Sequence, residues 1–130
     1  MIILKFPFKA ISKDNEKLYN KQSNRAFTSK KFKDFETQIK FYAMNQYKDQ
    51  PLVGDLKMTI FFSFKDKRHC DLFNLPKCIA DALQRICYTN DKQIKEAQLG
   101  IMEGTDEDCF SVQVWELSIT PTLSRGLGGM

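Results

Sequence analysis

Between Leu56 and Phe64 every second side chain is apolar. Leu56, Met58, Ile60, Phe62 and Phe64 fall on one face of an extended chain, and Lys57, Thr59, Phe61 and Ser63 fall on the other. Successive side chains of a strand point to opposite faces, so this period buries one face only if the run is a β-strand. Helical winding would scatter the same five apolar residues around the axis. The charged tetrapeptide Lys65-Asp66-Lys67-Arg68 ends the run. A single strand cannot bury its own face, so the chain must supply partner strands and a covering layer.

The remaining segments provide both. Residues 2–8 read as a short first strand with Pro7 near its end, and residues 10–28 as a long polar loop rich in Asn and basic residues. Thr28 or Ser29 can cap a helix running to about residue 47, in which Phe32, Phe35, Ile39, Tyr42 and Ala43 recur at three- and four-residue spacing. A second helix is expected over residues 74–87, with Leu75, Ile79, Ala82, Leu83 and Ile86 on its buried face and Pro76 in its first turn. Two further strands are expected over 97–102 and 109–119, the latter alternating Phe110, Val112 and Val114 with Ser111, Gln113 and Trp115. The expected fold is α+β: one domain over residues 1–123, with two main helices packed on a mixed or mostly antiparallel sheet. Residues 124–130 read as a flexible tail.

Composition narrows the possible chemistry. The 130 residues suffice for one domain with its own core. No apolar run approaches the ~20 residues that cross a bilayer. The opening run MIILKFPFKA carries Lys5 and Lys9 and lacks a small-residue cleavage site, so it reads as a strand rather than a signal peptide. Cys70, Cys78, Cys87 and Cys109 form no closely spaced pair of the kind that holds structural zinc. Free thiols in the cytoplasm are therefore expected. Residues 1–40 hold ten Lys/Arg against four Asp/Glu, whereas the remainder is slightly acidic. A basic segment suits phosphate binding and equally suits a solvated lysine-rich surface.

Walker, GxGxxG, GxSxG and HExxH motifs are absent. Nucleophilic catalysis of the Ser–His–Asp kind would have to use His69, the only histidine, and no partner nucleophile adjoins it. The remaining candidates are acidic. Asp71 stands where the central strand gives way to the second helix, followed by Asn74, Lys77 and Asp81, with Asp91 in the loop beyond. Carboxylates so placed can hold Mg²⁺ for phosphodiester hydrolysis, with Lys77 adding positive charge. Simpler roles fit the same residues: Asp71 or Asn74 as helix caps, Lys77 and Asp81 as an i,i+4 ion pair, and Asp91 as a turn residue.

The stretch over residues 71–95, DLFNLPKCIADALQRICYTNDKQIK, resembles the signature of the RusA family of Holliday-junction resolvases. That signature runs Asp-x-Asp-Asn, Lys three residues later, Asp-Ala-Leu on the following turn, then an acidic pair before Gln-Ile or Gln-Val. Asp71, Asn74, Lys77, Asp81-Ala82-Leu83, Asp91 and Gln93-Ile94 match it in type and spacing. Phe73 stands at the second aspartate of the signature, and Asn90 at the first member of the acidic pair. The loop Glu103–Asp108 is strongly acidic, unlike an ordinary DNA-facing loop.

The resemblance implies a phage- or prophage-type homodimer that cuts four-way DNA junctions with Mg²⁺ in recombination or repair. It implies Asp71 and Asp91 as metal ligands and catalytic residues, Asn90 as a neutral oxygen ligand, and Lys77 as a catalytic cation. Asn74 and Asp81 then complete the motif. Lys13, Lys17, Lys21, Arg25, Lys67 and Arg68 are the expected DNA-backbone contacts. With Phe73 in place of a carboxylate, the alternative is a catalytically weak or inactive junction-binding protein. A small interaction module is a third reading.

Overall fold

The computed structural model describes residues 1–12 and 30–117, together with the backbone of 17–20 and 25–28. In chain order the elements are β1 (Ile2–Phe6), β2 (Lys17–Asn20), β3 (Arg25–Thr28), α1 (Lys30–Gln46), β4 (Leu56–Phe64), α2 (Pro76–Ala82), β5 (Ile94–Glu103) and β6 (Cys109–Glu116). The fold is α+β, as expected. Four strands form one sheet in the order β1-β6-β4-β5, and β2 pairs with β3 in a separate antiparallel pair. The large sheet is mixed: β4 pairs antiparallel with β6 and parallel with β5.

β4 occupies an interior position in this sheet. Its even-numbered residues Leu56, Met58, Ile60, Phe62 and Phe64 are all buried, as their alternation required. Ile2, Leu4 and Phe6 of β1 and Phe110, Val112 and Val114 of β6 complete the same face. The stripe of α1 closes over it through Phe32, Phe35, Ile39 and Ala43, with Tyr42 half-buried. Fully burying a side chain of this size stabilises a fold by about 1.5–3 kcal/mol. Phe110 sits at the centre of this layer. Its ring stacks on Phe6 (centroids 4.6 Å apart, 10° between planes) and meets Phe8, Phe35 and Phe62 within 6.1 Å.

The edge of β1 is closed by a side chain. Gln46, the last residue of α1, accepts from the Lys5 amide at 2.8 Å and donates to the Lys5 carbonyl at 2.8 Å. One carboxamide thereby imitates a neighbouring strand on an edge that would otherwise stay unpaired. On the opposite sheet face Phe61 is half exposed, and its ring lies against Gly100, where a Cβ would come within 2.8 Å of it. Thr59, on that face, is nevertheless buried, and its hydroxyl has no hydrogen-bond partner among the described residues. An unsatisfied buried hydroxyl costs roughly 1–3 kcal/mol. Thr59→Val is therefore expected to raise the urea midpoint, by about 1 kcal/mol of stability at unchanged m-value.

Three expectations need correction. Residues 10–28 are not one loop: β2 and β3 lie within them, and Ala10, Ile11 and Ser12 are buried. The second helix is shorter than residues 74–87. A 3-10 turn occupies Leu72–Asn74, α2 ends at Ala82, and Arg85 takes the left-handed conformation (φ +69°) that reverses the chain. The strand expected at 97–102 begins earlier, at Ile94, and the one expected at 109–119 ends at Glu116. Ser29 and the tail at 124–130 lie outside the described residues. Among the described residues no helix is long and apolar enough to cross a membrane. Cys70, Cys78 and Cys87 are buried thiols and Cys109 a half-buried one, none in a disulfide among the described residues; burial pushes Cys78 and Cys87 up to about 12.

Candidate active site

Parallel strands cannot be joined by a tight hairpin, so residues 65–93 must cross from the end of β4 back to the start of β5. The crossover carries the whole signature. Asp71 lies near its beginning, α2 in its middle and Asp91 at its end.

Asp71 precedes the Leu72–Asn74 turn. Its carbonyl accepts from the Asn74 amide at 3.0 Å, while its carboxyl makes no capping hydrogen bond and is exposed. Asn74 does not cap α2 either; Leu75 occupies that position. The capping roles that these residues could have filled are thus not taken. Phe73 is 86% exposed, its ring adding nothing to the core. Lys77 is exposed in the first turn of α2, and its charge lowers the affinity of Asp81 for a proton.

The structure brings Asp81 and Asp91 together. Partial burial and a hydrogen bond shared with the Asp91 carboxyl raise Asp81 above the usual carboxylate range, and the negative charges of Asp91 and Glu36 add to the shift. Ionised carboxylates only accept hydrogen bonds, so a bond between two of them requires a proton on one. In this acidic pair Asp81 holds its proton more tightly than an ordinary carboxyl.

Several groups hold this dyad in place. Gln84 accepts from the Asp91 amide at 3.0 Å and reaches the Asp81 carbonyl at 3.4 Å, bracketing both segments. Beneath them Tyr88 is fully buried and donates to the Ala80 carbonyl at 2.6 Å. Asn90 caps the 3-10 turn Asp91–Gln93: its side-chain oxygen accepts from the Lys92 amide at 2.8 Å. Gln93 completes the capping box, accepting from the Thr89 and Asn90 amides and donating to the Leu52 and Gly54 carbonyls, all at 2.9–3.0 Å. Every hydrogen-bonding direction of that carboxamide is used, which anchors the Asp91 turn to the loop before β4. Sequence reasoning gave Asp81 only a motif role and missed Gln84. Two carboxylates ten residues apart, with a glutamine between, carry no local periodic signal.

The raised Asp81 has a measurable consequence. Between the ordinary carboxylate value and the raised one, the folded protein binds more protons than the unfolded chain, so this group's contribution falls as pH rises through that window. Asp81→Asn is expected to remove the decline. The melting temperature of the variant minus that of the parent should increase from pH 4 to pH 7; a constant difference would contradict the shared proton.

A hard divalent cation can take the place of a proton between two carboxylates. Among the described residues no three His, Cys, Asp or Glu side chains converge into a metal-holding group. Mg²⁺ commonly binds through one or two carboxylates and keeps its waters, so the dyad fits that ion better than one that requires a protein cage.

His69 offers no spare base. Its Nδ1 is 2.9 Å from the Cys70 carbonyl, its Nε2 is 2.5 Å from a Glu103 carboxylate oxygen, and its ring stacks on Phe64. Both partners are acceptors, so both nitrogens donate when Glu103 is ionised. The Cys70 hydrogen bond leads in raising its pKa, opposed by burial and assisted by Glu103. Of the expected DNA contacts, Lys67 is exposed, and Arg68 pairs with Asp66 at 2.8 Å, holding that carboxyl down at about 2. Lys17 and Arg25 begin β2 and β3. Lys13 and Lys21 lie outside the described residues.

A comparison with known families matches residues 7–108, well over half of the chain, to the family described as Endodeoxyribonuclease RusA. A search of curated proteins returned no match.

Proposed function

The chain belongs to the RusA endodeoxyribonuclease family, and from that membership we propose that it is a structure-selective nuclease that hydrolyses phosphodiesters at four-way DNA junctions with Mg²⁺. The observation that carries this reading is the Asp81–Asp91 dyad, bracketed by Gln84 inside the matched segment. Asp81 and Asp91 would hold the cation. When bound, such an ion supplies Lewis-acid polarisation of the phosphodiester and offsets charge developing on its oxygens.

The protein's own groups would do the rest. A carboxylate oxygen of Asp91 would accept the proton of an attacking water, and Gln84 steadies the backbone that carries it. The Lys77 ammonium, one turn before Asp81, would supply positive charge as the transition state gains negative charge. Asp71 enters the catalytic and metal-holding set through its match to the first aspartate of the signature, with a carboxyl that no cap consumes. Asn90 would offer a cation a neutral oxygen only in competition with the cap it forms over the Asp91 turn. Lys13, Lys17, Lys21, Arg25, Lys67 and Arg68 would contact DNA backbone, which fixes position more than it reads sequence. Two equivalent sites in a two-fold dimer would suit symmetric cuts in opposed strands. Such a protein would serve phage or prophage recombination or repair, in the cytoplasm.

One observation favours a second reading, that of a junction binder with weak or no cleavage: Phe73 stands exposed where the signature carries an aspartate. The two readings separate on a labelled four-way junction incubated with Mg²⁺ or chelator. Mg²⁺-dependent cutting that is lost in Asp71→Asn supports the nuclease. Tight binding with cutting only in Phe73→Asp supports the binder; the exposure of Phe73 leaves that variant free to fold. No preference for the junction over duplex DNA would sink both readings.

A further inference from the structure

Phe73 is the most exposed large apolar side chain among the described residues, at 86%. The backbone that carries it is held from both sides. Leu72 packs against the core, and Leu75 is fully buried. The Asn74 amide donates to the Asp71 carbonyl at 3.0 Å and the Leu75 amide to the Leu72 carbonyl at 3.3 Å, which closes the turn around Phe73. Pro76 then opens α2 with its φ preset. An aromatic side chain on backbone held this way has little freedom to lose on binding.

The residues around Phe73 in the chain give it no apolar company on the surface. Asp71, Asn74 and Lys77 are exposed and polar, and the exposed cations Lys67 and Arg68 precede them. A protein interface sets its aromatic anchors inside a wider desolvated patch. A single ring among polar and basic groups suits instead a flat partner with a charged rim. A nucleobase is such a partner: its π face stacks on an aromatic side chain while the neighbouring phosphates meet cations. Inside a continuous duplex both faces of every base pair are covered by the pairs above and below. Where the arms of a branched DNA part, the last pair of an arm has a face to offer.

We propose that Phe73 stacks on the uncovered face of a base at the branch point, and thereby makes the protein prefer branched to continuous DNA. The proposal rests on the junction-DNA reading above for its ligand, whether or not that DNA is then cut. Phe73 is on this account a specificity-determining binding residue: a ring cannot hold a cation where the signature carries a carboxylate, but it can hold a base.

The test measures affinity by fluorescence anisotropy in chelator, for a four-way junction and for a linear duplex of matched sequence. It compares the parent with Phe73→Ala, Phe73→Leu, Phe73→Trp and a control, Phe41→Ala, which removes another exposed aromatic from α1; circular dichroism verifies folding. Phe73→Ala should bind the junction about 5- to 100-fold more weakly and the duplex within about 2-fold of the parent. Phe73→Leu keeps apolar bulk without a π face and should share most of that loss, whereas Phe73→Trp should bind like the parent. The junction, and not the duplex, should quench the emission that Phe73→Trp adds to that of Trp115. An unchanged junction preference in Phe73→Ala, parental binding by Phe73→Leu, or an equal loss in Phe41→Ala would overturn the stacking role and leave the junction-DNA reading in place. If Phe73→Ala halves the sedimenting mass and weakens junction and duplex equally, the ring meets a second copy of the chain and the proposal falls. If the parent itself shows no preference for the junction, the junction-DNA reading falls and the stacking role with it.

Discussion

Asp91→Asn is expected to cut a four-way junction at least about 100-fold more slowly than the parent while binding it within a few-fold. Losing one preorganised electrostatic group slows enzymes by about 10²–10³-fold, and 100-fold corresponds to about 2.7 kcal/mol of transition-state stabilisation. The asparagine side chain is nearly isosteric, and the Gln84 bond is made to the Asp91 backbone amide, so the turn should keep its shape. What changes is charge: the dyad loses one carboxylate, and with it the part of the Asp81 shift that Asp91 adds to the effect of burial. Single-turnover cleavage beside equilibrium binding separates the two effects. A parallel loss of binding would point to a misfolded turn, and retained cutting would remove Asp91 from the chemistry.

Phe110→Ala carries the largest expected effect on stability, about 3–5 kcal/mol. The residue is 3% exposed on β6, stacked on Phe6 and in contact with Phe8, Phe35 and Phe62. Its neighbours come from β1, the segment after it, α1 and β4, so no single shift can refill the space. Against a total stability of about 5–15 kcal/mol for a typical domain, this is a large share of what holds the fold. Urea denaturation should show a much lower midpoint at similar slope. A loss below about 1 kcal/mol would mean that the aromatic layer collapses around the gap. Phe110→Leu, which keeps most of the volume, should cost markedly less.

The parts of this fold that were legible in the sequence are those in which burial is periodic. The alternation from Leu56 to Phe64 and the stripe of Phe32, Phe35, Ile39 and Ala43 report directly on which face meets the core. β2 and β3 were missed because Lys17–Asn20 and Arg25–Thr28 are four residues each, with their apolar residues side by side and no alternation to betray a strand. The second helix was drawn too long for the converse reason. Ile79, Ala82, Leu83 and Ile86 keep helical spacing, yet the left-handed Arg85 breaks the backbone between them. Packing of a turn can satisfy the same spacing, and apolar periodicity does not register a change in φ.

The candidate site divides in the same way. Its residue types and their order could be read from the signature, and its geometry could not. The spacing placed Asp81 on a helix and Asp91 in a loop, but only the reversal through Arg85 and Tyr88, and the bracket of Gln84, bring their carboxyls together. Asn90 matched an acidic position of the signature, whereas the fold uses its oxygen to cap the Asp91 turn. These are tertiary facts, set by hydrogen bonds between segments that no local pattern links.

The central claim is that this chain cuts branched DNA with its own carboxylates and a divalent ion. Its most direct test is a single-turnover time course of the parent protein on a synthetic four-way junction and on a linear duplex of matched sequence, each with Mg²⁺ and with chelator. The account predicts nicks in the junction alone, only with Mg²⁺, and placed symmetrically on opposed strands. An uncut junction under tight-binding conditions, or equal cutting of the duplex, would contradict it.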